Sequence, residues 1–77
     1  MAYVSGEVSN DTLKDYDTAT FRIVLFDKGN HLIWTGSFKV RALGKKKMKP
    51  FEVPMEGIDF TVIPKIHKYE IYFESGY

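Results

Sequence analysis

Two alternating segments separated by three residues constrain this chain more than anything else in it. Residues 21–27 read Phe-Arg-Ile-Val-Leu-Phe-Asp and residues 31–40 read His-Leu-Ile-Trp-Thr-Gly-Ser-Phe-Lys-Val, with Lys28-Gly29-Asn30 between them. Alternation is the signature of a half-buried strand, and Gly and Asn readily enter the positive φ that a tight reversal needs. The centre of the chain is thus an antiparallel hairpin, and the rest must cover one of its faces. On the first strand, about 18–26, Ala19, Phe21, Ile23 and Leu25 face one way, and Thr20, Arg22, Val24 and Phe26 the other. On the second, about 31–41, Leu32, Trp34, Gly36, Phe38 and Val40 are expected inside, with Ile33, Thr35, Ser37, Lys39 and Arg41 outside.

Further strands follow from the same period. Tyr3–Ser9 places Val4, Gly6 and Val8 on one face, before a polar loop over 10–17. Leu43-Gly44-Lys45-Lys46 reads as a turn, and 47–53 as a strand with Phe51 and Val53 inward. Pro50 inside that strand cannot donate to a ladder, so the strand is an edge or bulged. Ile58–Ile63 alternates weakly and is stopped by Pro64, which predicts a short strand or an extended connection within 54–66, with one helical turn at 65–67. In the closing strand, 68–74, Tyr69, Ile71 and Phe73 face inward, and Glu70, Tyr72 and Glu74 outward. No segment carries a sustained helical period. With 77 residues the chain is one domain, 1–77. Six to seven short antiparallel strands predict an all-β sandwich or a small barrel.

A domain this small buries only about 60% of its unfolded surface. There is no cysteine to supply a disulfide, so six Phe, five Tyr and one Trp must provide the large buried areas. The start of the chain lacks the basic and apolar regions of a signal peptide, and no apolar run approaches the length of a membrane span. An extracellular or cell-surface setting is expected only if these residues belong to a longer chain.

The formal net charge of +1 conceals segregation. Residues 28–49 hold seven bases and no acid, while the flanking segments are acidic. Lys39, Arg41, Lys45, Lys46, Lys47 and Lys49 fall on two strand ends and their turn, over 39–49. One reading is phosphate contact in a small nucleic-acid-binding β protein. The other is an edge kept from self-pairing by lysine. Nucleic-acid binders of β type add exposed aromatics for stacking. Here Trp34 and Phe38 fall on the expected core face, which weighs against nucleic acid.

Other chemistry finds little support. His31 and His67 are the only histidines and lack a close-spaced ligand pair, so no metal is expected. Asp11, Asp15 and Asp17 lack the Gly and terminal Glu of a calcium loop. Asn10-Asp11-Thr12 matches a glycosylation sequon, a pattern common by chance. Nucleophile and phosphate-loop motifs are missing, so neither an enzyme nor a cofactor is expected.

The stretch Ile23-Val24-Leu25-Phe26-Asp27 resembles the motif of the FxLYD family, matching it outright at Leu25 and Asp27. Val4-x-Gly6-x-Val8-x-Asn10 is similar to that family's opening strand, Leu43-Gly44 with Phe51-Glu52-Val53 to its later hairpin, and Tyr69-Glu70-Ile71-x-Phe73 to its closing strand. The resemblance implies a small immunoglobulin-like antiparallel β-sandwich in a prokaryotic protein, without established activity. The residues themselves make Asp27 a hydrogen-bond acceptor for the turn that follows it. They also place Val24, Phe26, Ile33 and Tyr72 on the face opposite the core. Unless the 54–66 connection covers it, that face is a patch for a partner or a second copy. The resulting expectation is a non-catalytic accessory or protein-interaction module. Its partner is a protein, a neighbouring domain of a longer chain, or a second copy bound through the exposed sheet face.

Overall fold

A computed structural model describes residues 2–77. The chain is all-β, with strands β1 (Tyr3–Ser9), β2 (Tyr16–Phe26), β3 (Leu32–Leu43), β4 (Met48–Pro54) and β5 (Lys68–Gly76), and a 3₁₀ helix (Phe60–Lys65) before β5. The strands form two antiparallel sheets, a three-stranded one ordered β3-β2-β5 and a two-stranded one of β1 and β4.

Five strands stand where the sequence pattern predicts six to seven. The difference lies at 58–63. There the Asp59 carboxylate accepts the Thr61 N–H at 2.9 Å and starts the 3₁₀ helix, which contains Pro64 and ends with the Ile66 N–H donating to the Ile63 carbonyl. A capping Asp and a proline, which has no N–H for a ladder, favour a tight turn over a strand. The helical turn expected at 65–67 ends instead at Lys65.

β2 is the central strand because its alternation is complete. Ala19, Phe21, Ile23 and Leu25 are buried, and Thr20, Arg22, Val24 and Phe26 between them are half-buried. On β3 the expected faces hold from Trp34 to Val40 and fail at its start. Leu25 pairs with Trp34 but Phe26 pairs with Leu32, so Ile33 is an extra residue at a bulge. The bulge shifts which side chains point inward. Ile33 packs against the buried Ile23-Leu25-Met55 cluster, whereas Leu32 stands 61% exposed. β3 also runs beyond its expected end at about 41, to Leu43. Ala42 takes a φ of 55°, and Leu43 beyond it is 2% exposed.

The inner faces of the two sheets pack together in two clusters. Val8, Ala19, Phe21, Val40 and Leu43 form one, and Ile23, Leu25 and Met55 the other. Phe38 and Ile71 pack against both. Phe51 of β4 stacks on Phe38 at 4.4 Å between ring centroids, and Phe38 stacks on Phe21 at 5.5 Å. The series continues through Phe73 of β5, edge-on to Phe21 at 5.8 Å, to Tyr16 at 5.4 Å. Gly6 leaves room for it, since a Cβ there would lie 3.1 Å from the Phe51 ring. As expected from Pro50, β4 has a free edge, its single ladder being that with β1.

Candidate interaction surfaces

The two-stranded sheet is too narrow to cover the three-stranded one. β4 lies over β3 through the Phe38–Phe51 stack, and β1 reaches β2 through Val8 and Val4. Cover over β5 is confined to its middle, where the half-buried Ile71 packs against both clusters. Tyr69 and Phe73 hold the inward positions expected of them, opposite Leu25 and Phe21, yet are 64% and 51% exposed. The Cα radius of gyration, 13.6 Å, exceeds the roughly 11.5 Å of a compact domain this long. A seam thus runs between β1 and β5. At one end Val4, Leu25, Met55, Ile66 and Tyr69 line a concavity of about 480 Å³. At the other, Tyr16, Phe21, Leu43 and Phe73 line one of about 240 Å³.

The opposite face of the three-stranded sheet is uncovered as well. Met55, Ile58 and Ile66 of the 54–66 connection pack toward the core, not over Val24, Phe26 and Tyr72. Polar contacts subdivide this face. Arg22 lies 3.5 Å from Glu74 and donates to the Thr35 hydroxyl at 3.2 Å, and the Tyr72 hydroxyl bonds Glu70. That bond raises the Tyr72 pKa. Its apolar part is confined to one end, where Phe26 pairs with the exposed Leu32.

The basic residues do not form one stripe. Lys39 and Arg41 stand on the outer face of β3, opposite Thr20 and Thr18. Lys45, Lys46 and Lys47 occupy the β3–β4 turn, with Lys46 at a φ of 58°. Lys49 is half-buried on the other sheet, opposite the buried Val8. The acidic 10–17 loop folds against the turn. Asp15 accepts the Lys45 N–H at 2.7 Å, and Lys46 Nζ donates to the Asp11 carbonyl at 2.8 Å. Charge segregated along the chain is therefore interleaved in space.

Asn10 holds that junction together, a role its neighbours in sequence do not announce. Among the described residues it is the buried polar one, 4% exposed. Its Nδ2 donates to the Lys14 and Leu43 carbonyls, at 2.7 and 3.1 Å. Its Oδ1 accepts from the Thr12 N–H and hydroxyl, at 3.0 and 2.6 Å. Its backbone bonds Lys46 and Lys47. A carboxamide has two donors and two acceptor positions, and all are used, so the sequon's asparagine is closed to glycosylation in the folded domain.

At the other end of the molecule Asp27 holds the β2–β3 turn as expected. Its Oδ1 accepts the Gly29 and His31 N–H groups at 2.9 and 2.8 Å and lies 3.2 Å from His31 Nδ1. Of the two residues available for positive φ there, Asn30 takes it, at 64°. Among the described residues no three His, Asp or Glu side chains converge on a point, and no helix is long and apolar enough to cross a membrane. Comparison with models of protein families, with curated proteins and with solved structures gives no match.

Proposed function

We propose that this chain is a non-catalytic protein-interaction module, an immunoglobulin-like domain of the FxLYD kind, that binds a protein partner along β5. The observation that carries this reading is the pair of exposed inward aromatics on β5, on either side of the half-buried Ile71. Tyr69 and Phe73 belong by pattern to a core, yet among the described residues they stand 64% and 51% exposed. Aromatic side chains presented beside a free strand edge are what β-strand addition uses, the backbone supplying affinity and alternate side chains specificity. The motif residues support the family reading through structural roles. Leu25 is buried, Asp27 fastens the turn, and Asn10 joins the first loop to the β3–β4 turn. The 10–17 loop folded against the β3–β4 turn, with the Lys46 ammonium taken up by the Asp11 backbone carbonyl, favours edge protection over phosphate binding for the basic turn.

Photocrosslinking in cells of the source organism tests the reading, with a photoreactive residue at Tyr69 or, as control, at Ser37 on the outer face. A protein adduct, homotypic or heterotypic, is expected from position 69 alone. Equal labelling at both positions, or submicromolar binding of nucleic acid at about 150 mM salt that Lys45, Lys46 and Lys47→Ser abolishes, would overturn it.

A further inference from the structure

We propose that the partner of β5 is a second copy of this chain, bound edge to edge through an antiparallel β5–β5 pairing centred on Ile71. The proposal rests on β5 being the interaction edge and adds the identity of what binds there.

The free edges of the domain are not equivalent. β4 carries Pro50 and has Lys49 on its inner face, devices that discourage pairing. β5 has no proline, and its inner face shows Tyr69, Ile71 and Phe73. A two-fold axis at Ile71 sets Lys68 opposite the partner's Glu74, Tyr69 opposite the partner's Phe73, and Glu70 opposite the partner's Tyr72. Ile71 meets its own counterpart. The pairs from Tyr69 to Phe73 each keep to one face, as an antiparallel register requires, and Glu74, which the β2–β5 ladder passes over, stands on the outer face beside Arg22. Lys68, which has no carboxylate within salt-bridge distance among the described residues, gains one. Glu70 and Tyr72, already bonded within one chain, meet the same two groups across the axis. The aromatic series from Phe51 to Phe73 continues into the partner's Tyr69.

Charge also excludes the neighbouring registers. Shifting by two residues in one direction places Glu70 against the partner's Glu70. Shifting in the other places Glu70 against the partner's Glu74, twice. Like charges directly opposite destabilise a sheet pair, while opposite charges and aromatic pairs stabilise it. A one-residue slip would set inner against outer faces. The contact is isologous, so it closes at a dimer, with a continuous sheet ordered β3-β2-β5-β5-β2-β3.

Sedimentation equilibrium of the full chain tests this with exposed charge swaps that leave the core untouched. The wild type is expected to move from its 8.9 kDa monomer to twice that mass with rising concentration. Lys68→Glu and Glu74→Lys should each weaken self-association about tenfold or more. An equimolar mixture of the two variants should restore it as a heterodimer, because each glutamate then faces a lysine. A wild type monomeric at millimolar concentration overturns the proposal; a heterotypic adduct at position 69 would then leave the interaction reading standing. A dimer indifferent to both swaps overturns the β5 register.

Discussion

Single residues decide how the two sheets are joined, and Asn10 is the clearest case. Four hydrogen bonds from one buried carboxamide tie the β1–β2 loop to itself and to the end of β3. Asn10→Asp keeps shape and acceptors but turns oxygens toward the Lys14 and Leu43 carbonyls. Leaving one buried polar group unpaired costs about 1–3 kcal/mol, more when charged, so at least about 2 kcal/mol should be lost at neutral pH, read from the urea midpoint. An unchanged midpoint would mean that the loop rearranges without penalty. Gly36 is a second case. A Cβ there would clash with the Trp34 indole, which leans over it from the same face of β3. That ring is not free to yield, since its Nε1 donates to the Glu56 carbonyl at 3.0 Å and it packs on the Ile23-Leu25-Met55 cluster. Gly36→Ala should therefore destabilise by about 1–3 kcal/mol, as overpacking does, and blue-to-red displacement of the tryptophan emission should accompany it as the indole is pushed into water. Equal stability with unaltered fluorescence would show that the strand moves instead.

Among the elements, the β2–β3 hairpin was the most legible in the sequence, and its limits are instructive. Alternation locates β2 because both of its neighbours and the facing sheet enforce the same period, and Asp27 before Gly29-Asn30 announces the turn. The bulge at Ile33 is invisible in the pattern, since Leu32, Ile33 and Trp34 are all apolar and the register alone decides which turn inward. Leu43 and Met55 were hidden for a related reason. Each buries itself beside turn residues, through the positive φ of Ala42 in one case and an N–H bond to the Ala2 carbonyl in the other. The exposure of Tyr69 and Phe73 was not legible at all, because it depends on which strand lies over which. The turn itself carries a pH signature. The His31 N–H, aided by the Gly29 N–H and the His31 ring and opposed by partial burial, holds the Asp27 carboxyl below its ordinary range. A carboxyl depressed in the folded state contributes stability in full above its unfolded value of about 3.9, and that contribution is lost as pH falls through the folded value. Asp27→Asn keeps an acceptor without the titration. The gap in Tm between wild type and Asp27→Asn should close progressively as pH falls below about 5. A gap independent of pH would remove Asp27 from the acid limb.

At the scale of the whole molecule the fold is a local hairpin joined by a sheet made of distant parts. β2 and β3 meet across a short turn, whereas β1 pairs Tyr3 with Pro54 and Ser9 with Met48, closing β2 and β3 between them. Closing a long loop costs entropy before its contacts repay it, so non-local pairings form late and slowly. No disulfide shortens the search, because the chain has no cysteine. Ile23 sits where the early structure should be, fully buried on the central strand, opposite Gly36 of β3 and Ile71 of β5. Val53 lies where structure should come last, buried on β4 opposite Val4. Ile23→Val and Val53→Ala each remove buried methyl groups and should cost about 1 kcal/mol or more, enough for the loss to be divided between folding and unfolding rates. Stopped-flow chevrons should place most of the Ile23→Val loss in slower folding and nearly all of the Val53→Ala loss in faster unfolding. The opposite partition would mean that the two-stranded sheet nucleates first and the hairpin docks onto it. That order would require β1 and β4 to find each other while Phe21, Ile23 and Leu25 were still in water.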